Sequence, residues 1–173
     1  MSQIFGDENH SCKIDFSAAL WATDSIHDIF HAAGLFILRD VDFVAETENE
    51  LLLVEYKNAN LPQASHPEAF RPMEDKRINN VALKYFNSLQ FLQAMHRGLA
   101  KKKHYVYILE CSNGDIVLRK HVRELLAARL PFALQKQVAM PETMIDSIEV
   151  LSIDEWNERY GLFPLQLVDG NGA

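Results

Sequence analysis

The chain has 173 residues, 48% of them apolar and 24% charged, with a formal net charge of -7 at neutral pH. That length buries a core without disulfides or structural metal and fits one domain over residues 1–173, and the composition excludes a disordered chain. The acidic balance excludes a protein that coats nucleic acid by bulk electrostatics, because such binding rests on Lys and Arg against phosphates; a local metal site stays open, since its own carboxylates lower the formal charge.

Residues 16–33 carry Ile26, Ile29, Phe30 and Ala33 at helical spacing and predict one helix or two short ones, with Asp24, His27, Asp28 and His31 on the opposite face. Gly34 is placed to stop that helix. The run from Leu35 to Glu46 is rich in β-formers and predicts an extended segment ending in a strand. Thr47 to Glu50 is polar and turn-prone, and the continuous apolar run from Leu51 to Lys57 completes a hairpin. Pro62, Pro67 and Pro72 then break regular structure before a long helix predicted from Glu74 to Arg97. Tyr105 to Cys111 reads as a strand and residues 117–130 as a helix ahead of Pro131. Residues 148–153 and 154–161 read as a last strand and a capped helix. The tail from Leu162 is expected to fray, with disorder from about residue 168. This order predicts a mixed α/β domain.

Cys12 and Cys111 lie far apart with no CxxC pair, which predicts reduced core thiols of a cytoplasmic protein. The first residues do not resemble a secretory leader, and no apolar stretch reaches membrane-spanning length.

The hairpin carries the chemistry. With residues 47–50 as the turn, opposed residue numbers sum to 97, so Asp42 stands opposite Glu55 and Asp40 opposite Lys57, all on one face. Carboxylates opposed at about 5 Å repel unless a proton or cation lies between them. Val41, Phe43, Ala45, Leu52, Val54 and Tyr56 fall on the other face, so the strands are expected to be central and buried, where unpaired acids are costly. Two hard oxygen donors suit Mg²⁺ or Mn²⁺, which accept phosphate oxygens as further ligands. Asp42 and Glu55 would hold the ion, and Lys57 would position water or offset charge. The bland alternative is a salt-bridged strand end, with Lys57 on Asp40 and Glu55 exposed.

The string DVDFVAETENELLLVEYKNA resembles the D-x(n)-E-x-K core of the PD-(D/E)XK nuclease superfamily, with Asp42, twelve intervening residues, then Glu55-Tyr56-Lys57. Val41 stands where the motif has proline. The resemblance implies a restriction endonuclease-like core, a mixed β-sheet flanked by helices, and Mg²⁺-dependent phosphodiester hydrolysis with Asp42, Glu55 and Lys57 as catalytic residues. It also implies a further metal ligand from the first helix, for which Asp24 and Asp28 are the candidates and Asp28 the one taken here, and a helix-borne Lys at the site, for which Lys84 is the candidate.

Nucleic acid, in the form of DNA, is the expected partner, with Lys84, Lys101, Lys102 and Lys103 as candidate phosphate contacts, although a lysine run more often reads as solvated surface. The histidines at 27 and 31 could hold zinc, but no further ligands stand out. Tyr105 and Tyr107 read as a strand face rather than a base-stacking platform. The chain has no separate recognition module, so a homodimer or accessory partner is an open expectation, as is a catalytically inactive nuclease-fold binding or accessory protein.

Overall fold

The apolar run Leu51 to Tyr56 is buried on both of its sides because it is the central strand of a mixed sheet. A computed structural model of the protein describes residues 2–62, 64 and 66–168. In chain order it contains β1 (Ile4–Gly6), β2 (Cys12–Asp15), β3 (Trp21–Thr23), α1 (Ile26–Ala32), β4 (Phe43–Glu46), β5 (Glu50–Asn58), α2 (Asp75–Ala94), β6 (Lys102–Glu110), α3 (Ile116–Ala127), α4 (Phe132–Gln137), β7 (Ser147–Leu151), α5 (Ile153–Arg159) and β8 (Leu165–Leu167).

Five strands pair in the order β3-β4-β5-β6-β7. The first three are antiparallel and the last three parallel, and the parallel crossovers run through α2 and then α3 and α4. The hairpin register is the expected one: Phe43 faces Val54 and Glu46 faces Leu51. Thr47 N–H closes the turn on Glu50 O at 2.9 Å.

The two sides of this sheet have separate cores. Val44, Leu51, Leu53, Tyr105 and Tyr107 pack beneath Ile78, Tyr85 and Leu89 of α2 and Val122 and Leu126 of α3. Phe43, Ala45, Leu52, Val54 and Ile108 pack instead on Ile14, Phe16, Trp156 and Leu165. Both helix starts near the second parallel edge are capped as their sequences indicate. Asp115 accepts from Leu118 N–H at 2.8 Å, and Ser152 with Glu155 forms a capping box. The molecule is thus a mixed α/β structure with a five-stranded mixed sheet flanked by helices, and among the described residues no helix is long and apolar enough to cross a membrane.

Several expectations are corrected. The helix expected over residues 16–33 is helical only from Ile26 to Ala32. Asp15 turns the chain by accepting from Ser17 N–H, and Trp21 to Thr23 gain more by pairing with Val44 to Glu46 at the sheet edge. The segment expected to be extended from Leu35 instead turns at Phe36 and Ile37, with Leu35, Phe36 and Ile37 exposed, while the strand expected at its end is found at Phe43–Glu46. The helix expected over residues 117–130 is found at Ile116–Ala127, and Pro131 then caps a further helix, α4, that was not expected. The expected frayed tail is ordered through Val168: β8 joins β1 and β2 in a three-stranded sheet on the second core. Disorder beyond residue 168 lies outside the described residues.

Candidate active site at the mouth of the hairpin

Strand alternation breaks at Asp42. Val41 and Val44 both belong to the core beneath α2, a spacing no regular pleat allows, so the chain bends between them. Two hydrogen bonds fix the bend. Val41 N–H donates to Ser88 Oγ on α2 at 3.0 Å, and Asp42 Oδ2 accepts from Tyr56 N–H at 2.7 Å, standing in for a carbonyl of the ladder. Asp42 and Glu55 therefore meet at the open end of β4, on the face that α2 covers.

Lys84 enters between them from α2, its Nζ 2.7 Å from Glu55 Oε1 and 4.0 Å from Asp42 Oδ1. The other carboxylate oxygen of Glu55 is buried without a hydrogen-bond partner among the described residues. Burial pushes the Glu55 carboxyl up to about 8, with Asp42 adding to the effect and Lys84 only partly opposing it. Burial likewise pushes Asp42 up to about 6 against the pull of Lys84 and the Tyr56 N–H. For Lys84, burial works against the charge, but the two acids outweigh it and hold the ammonium above its ordinary range. With both acids ionised the trio would be one positive charge short; at neutral pH the proton that Glu55 keeps removes that deficit, and a bound cation would do so in its place. Asp42 and Glu55, one of whose oxygens has no partner among the described residues, are the donors that fit a hard divalent ion.

A polar cavity of about 240 Å³ opens over the trio, with Lys57 and Asn58 at one side and Asp7, Glu8 and Ser11 at another. Lys57 is exposed, its ammonium 5.9 Å from the Phe70 ring centroid. The expected Lys57–Asp40 pairing is not formed. Asp40 precedes β4, and its Oδ1 is 3.2 Å from His27 Nδ1. The salt-bridged strand end with an exposed Glu55 is also overturned, since Glu55 is buried and paired to Lys84. Asp28 is exposed and lines a neighbouring depression with Asp40 and Asp42. Among the described residues no three His, Cys, Asp or Glu converge as a ligand set, so the structure does not join Asp28 to the acid pair.

The lysine run is placed elsewhere. Lys102 and Lys103 pair with Glu50 and Leu51 while Glu55 pairs with Tyr107, so the run lies at the far end of the sheet, about five residues or roughly 16 Å of strand away. Lys103 is 1% exposed and reaches Lys101 O and Glu142, and Lys101 binds Thr47 O and Glu46. These two ammonium groups hold the fold and do not face a substrate at the acids. Tyr105 and Tyr107 are buried strand-face residues, as expected. Both cysteines are buried free thiols, and burial pushes Cys12 up to about 12.

Sequence reasoning missed Arg77 and Asn80. Both line the cavity over the acids and the larger one beside it. Their spacing with Lys84, at 77, 80 and 84, is one stripe of a helix and was the available signal. It also missed the wall formed by the loop from Asp7 to Ser11, where Asp7 accepts from Ser11 N–H at 2.6 Å, Ser11 Oγ at 2.9 Å and Cys12 N–H at 2.7 Å. No family model, curated protein or solved structure matches the chain.

Proposed function

We propose that this protein is a metal-dependent nuclease that hydrolyses phosphodiester bonds in DNA, and that its sheet is a restriction endonuclease-like core of the PD-(D/E)XK type. The observation that carries the reading is the close pair of half-buried Asp42 and buried Glu55, both on Lys84, with one Glu55 oxygen unpartnered beneath an open polar cavity. A fold retains such a pair at a cost in desolvation, which a ligand that needs both oxygens offsets. The hairpin order, with Asp42 before one strand and Glu55-Tyr56-Lys57 on the next, supports the superfamily assignment.

In this reading Asp42 and Glu55 hold Mg²⁺ or Mn²⁺, which when bound supplies an activated water and a Lewis acid for the phosphate. Tyr56 N–H orients Asp42, and Ser88 sets the bend that presents it. Glu55 gives up its proton before it can ligate. Lys84 supplies a fixed positive charge near both acids, and exposed Lys57 can meet a phosphate oxygen or the attacking water. The test is cleavage of plasmid and single-stranded DNA with Mg²⁺ or Mn²⁺, alongside Glu55→Ala and Lys57→Ala. Cleavage abolished in both variants supports the proposal; an inactive wild type that shows no heat of Mn²⁺ binding overturns it.

A second reading is a catalytically inactive nuclease-fold binding or accessory protein. One observation favours it: the Lys84 ammonium already sits on Glu55, where a cation would bind. DNA binding without metal-dependent cleavage would select it.

A further inference from the structure

The loop after α1 builds a feature that hydrolysis does not use. Phe36 is 65% exposed, yet the chain around it is fixed. Gly34, at φ +73°, turns the helix end, with its N–H on His31 O at 2.9 Å and Leu35 N–H on Phe30 O at 2.9 Å. Leu38 N–H then closes on Leu35 O at 3.0 Å. The Phe36 ring meets His31 edge-on at 5.1 Å, and His31 lies 4.1 Å from His27, so three rings form a ladder along one wall.

That wall borders a cavity of about 520 Å³ whose other side carries Arg39, Lys76 and Arg77, and which reaches Asp42 and Lys84. Acids line it too: Asp40 and Glu8 face His27, at 3.2 and 3.8 Å, Asp42 faces Lys84 at 4.0 Å, and Glu74 is exposed. Arg39, Lys76 and Arg77 make no ion pair among the described residues. Arg77 also packs on the Phe70 ring at 4.2 Å and donates from Nε to Arg71 O, which fixes its guanidinium without neutralising it; an aromatic face beside such cations is the chemistry that binds an unstacked base and its flanking phosphates. A duplex keeps its base faces covered and cannot use such a wall.

We infer that this cavity is a base-stacking subsite for single-stranded DNA, in which a base stacks on Phe36, whose ring His31 buttresses edge-on, while adjacent phosphates meet Arg39, Lys76 and Arg77. The volume suits one nucleotide unit, within the range of small-ligand pockets. The inference deepens the nuclease reading and rests on it only for the claim that the strand continues toward the acid pair.

Fluorescence anisotropy in EDTA tests it without metal or hydrolysis. A labelled single-stranded oligonucleotide should bind at least about tenfold tighter than its duplex, and a version abasic at successive positions should lose affinity at one of them. Phe36→Ala should weaken the single strand roughly tenfold and leave the duplex unchanged, with Phe36→Trp restoring affinity. Phe36 is exposed, so an unchanged melting temperature checks that the variants fold. Equal affinity for single strand and duplex, or no effect of Phe36→Ala, overturns the inference. Cleavage with Mn²⁺ that ignores Phe36 would overturn it while sparing the nuclease reading. Phe36-dependent binding without cleavage would do the reverse.

Discussion

Lys84 and Glu55 lie 29 positions apart in sequence and meet at 2.7 Å, the one on the helix layer and the other on the sheet. This contact places an ammonium where a bound divalent ion would compete with it. Lys84→Met should therefore tighten Mn²⁺ binding several-fold in isothermal titration while reducing cleavage about 100-fold, the loss typical when one charge-stabilising group is removed. Unchanged Mn²⁺ affinity would show that the ammonium and the ion do not share the acids.

The pH dependence of stability follows from the same burial. Glu55 rises from 4.5 to about 8 on folding, so between those values the folded state binds the proton more tightly than the unfolded chain. Stability of the metal-free protein must then fall as pH rises through that window, by at most roughly 1.4 kcal/mol per pH unit for one proton. Glu46 runs in the opposite sense. Its burial would raise it, but Gly98 N–H, Lys101 and Arg97 outweigh burial and hold it below the usual range. Its contribution is complete above the unfolded value and lost as pH falls through the folded one. Urea melts in EDTA should show greatest stability on the acid side of neutrality, and Glu55→Gln should raise the midpoint at pH 8 and flatten the decline.

Ser88 is fully buried and holds the bend that presents Asp42. Ser88→Ala leaves Val41 N–H without its partner, at a cost of about 1–3 kcal/mol. Because Asp42 follows Val41 directly, Mn²⁺ affinity should fall as well, whereas a purely structural serine would change the urea midpoint alone.

Two glycines separate conformational strain from collision. Gly34 and Gly98 both have positive φ, but a Cβ at Gly34 meets nothing within 4 Å, whereas one at Gly98 falls 2.5 Å from Leu51 Cδ2. Gly34→Ala should cost about 1 kcal/mol from backbone strain. Gly98→Ala should cost more, because it adds overpacking against a buried leucine and disturbs the N–H bond to Glu46, and chemical denaturation of the two variants compares them directly.

The hairpin and α2 were legible because their signals are local. A polar four-residue turn between apolar runs fixes the register, and Ile78, Val81, Tyr85 and Leu89 repeat at helical spacing. Asp42 and Glu55 were legible for the same reason. The partner of Lys57 was not, because the bend at Asp42 removes Asp40 from the ladder and nothing in the residue types announces a bend. Lys101 to Lys103 misled in another way: a charge run read as a surface patch is, at Lys103, a buried ammonium bound to a backbone carbonyl and Glu142. The strands β1, β2 and β8 are three or four residues long and too short to show a period, and Cys12 pairs with Leu167 across most of the chain.

That last pairing also sets an order of events during synthesis. The helix-side core draws on the hairpin, α2, β6, α3 and β7, all of them synthesised before β8, whereas the opposite face is incomplete until Leu165 to Leu167 are made. The loop from Asp7 to Ser11, which walls the acid cavity, is tied to that late strand through Cys12 and through Val168 N–H on Ser11 O at 2.9 Å. A nascent chain therefore carries its acid pair long before it carries a closed pocket, and a chain interrupted before β8 would expose a greasy sheet face together with a half-built site.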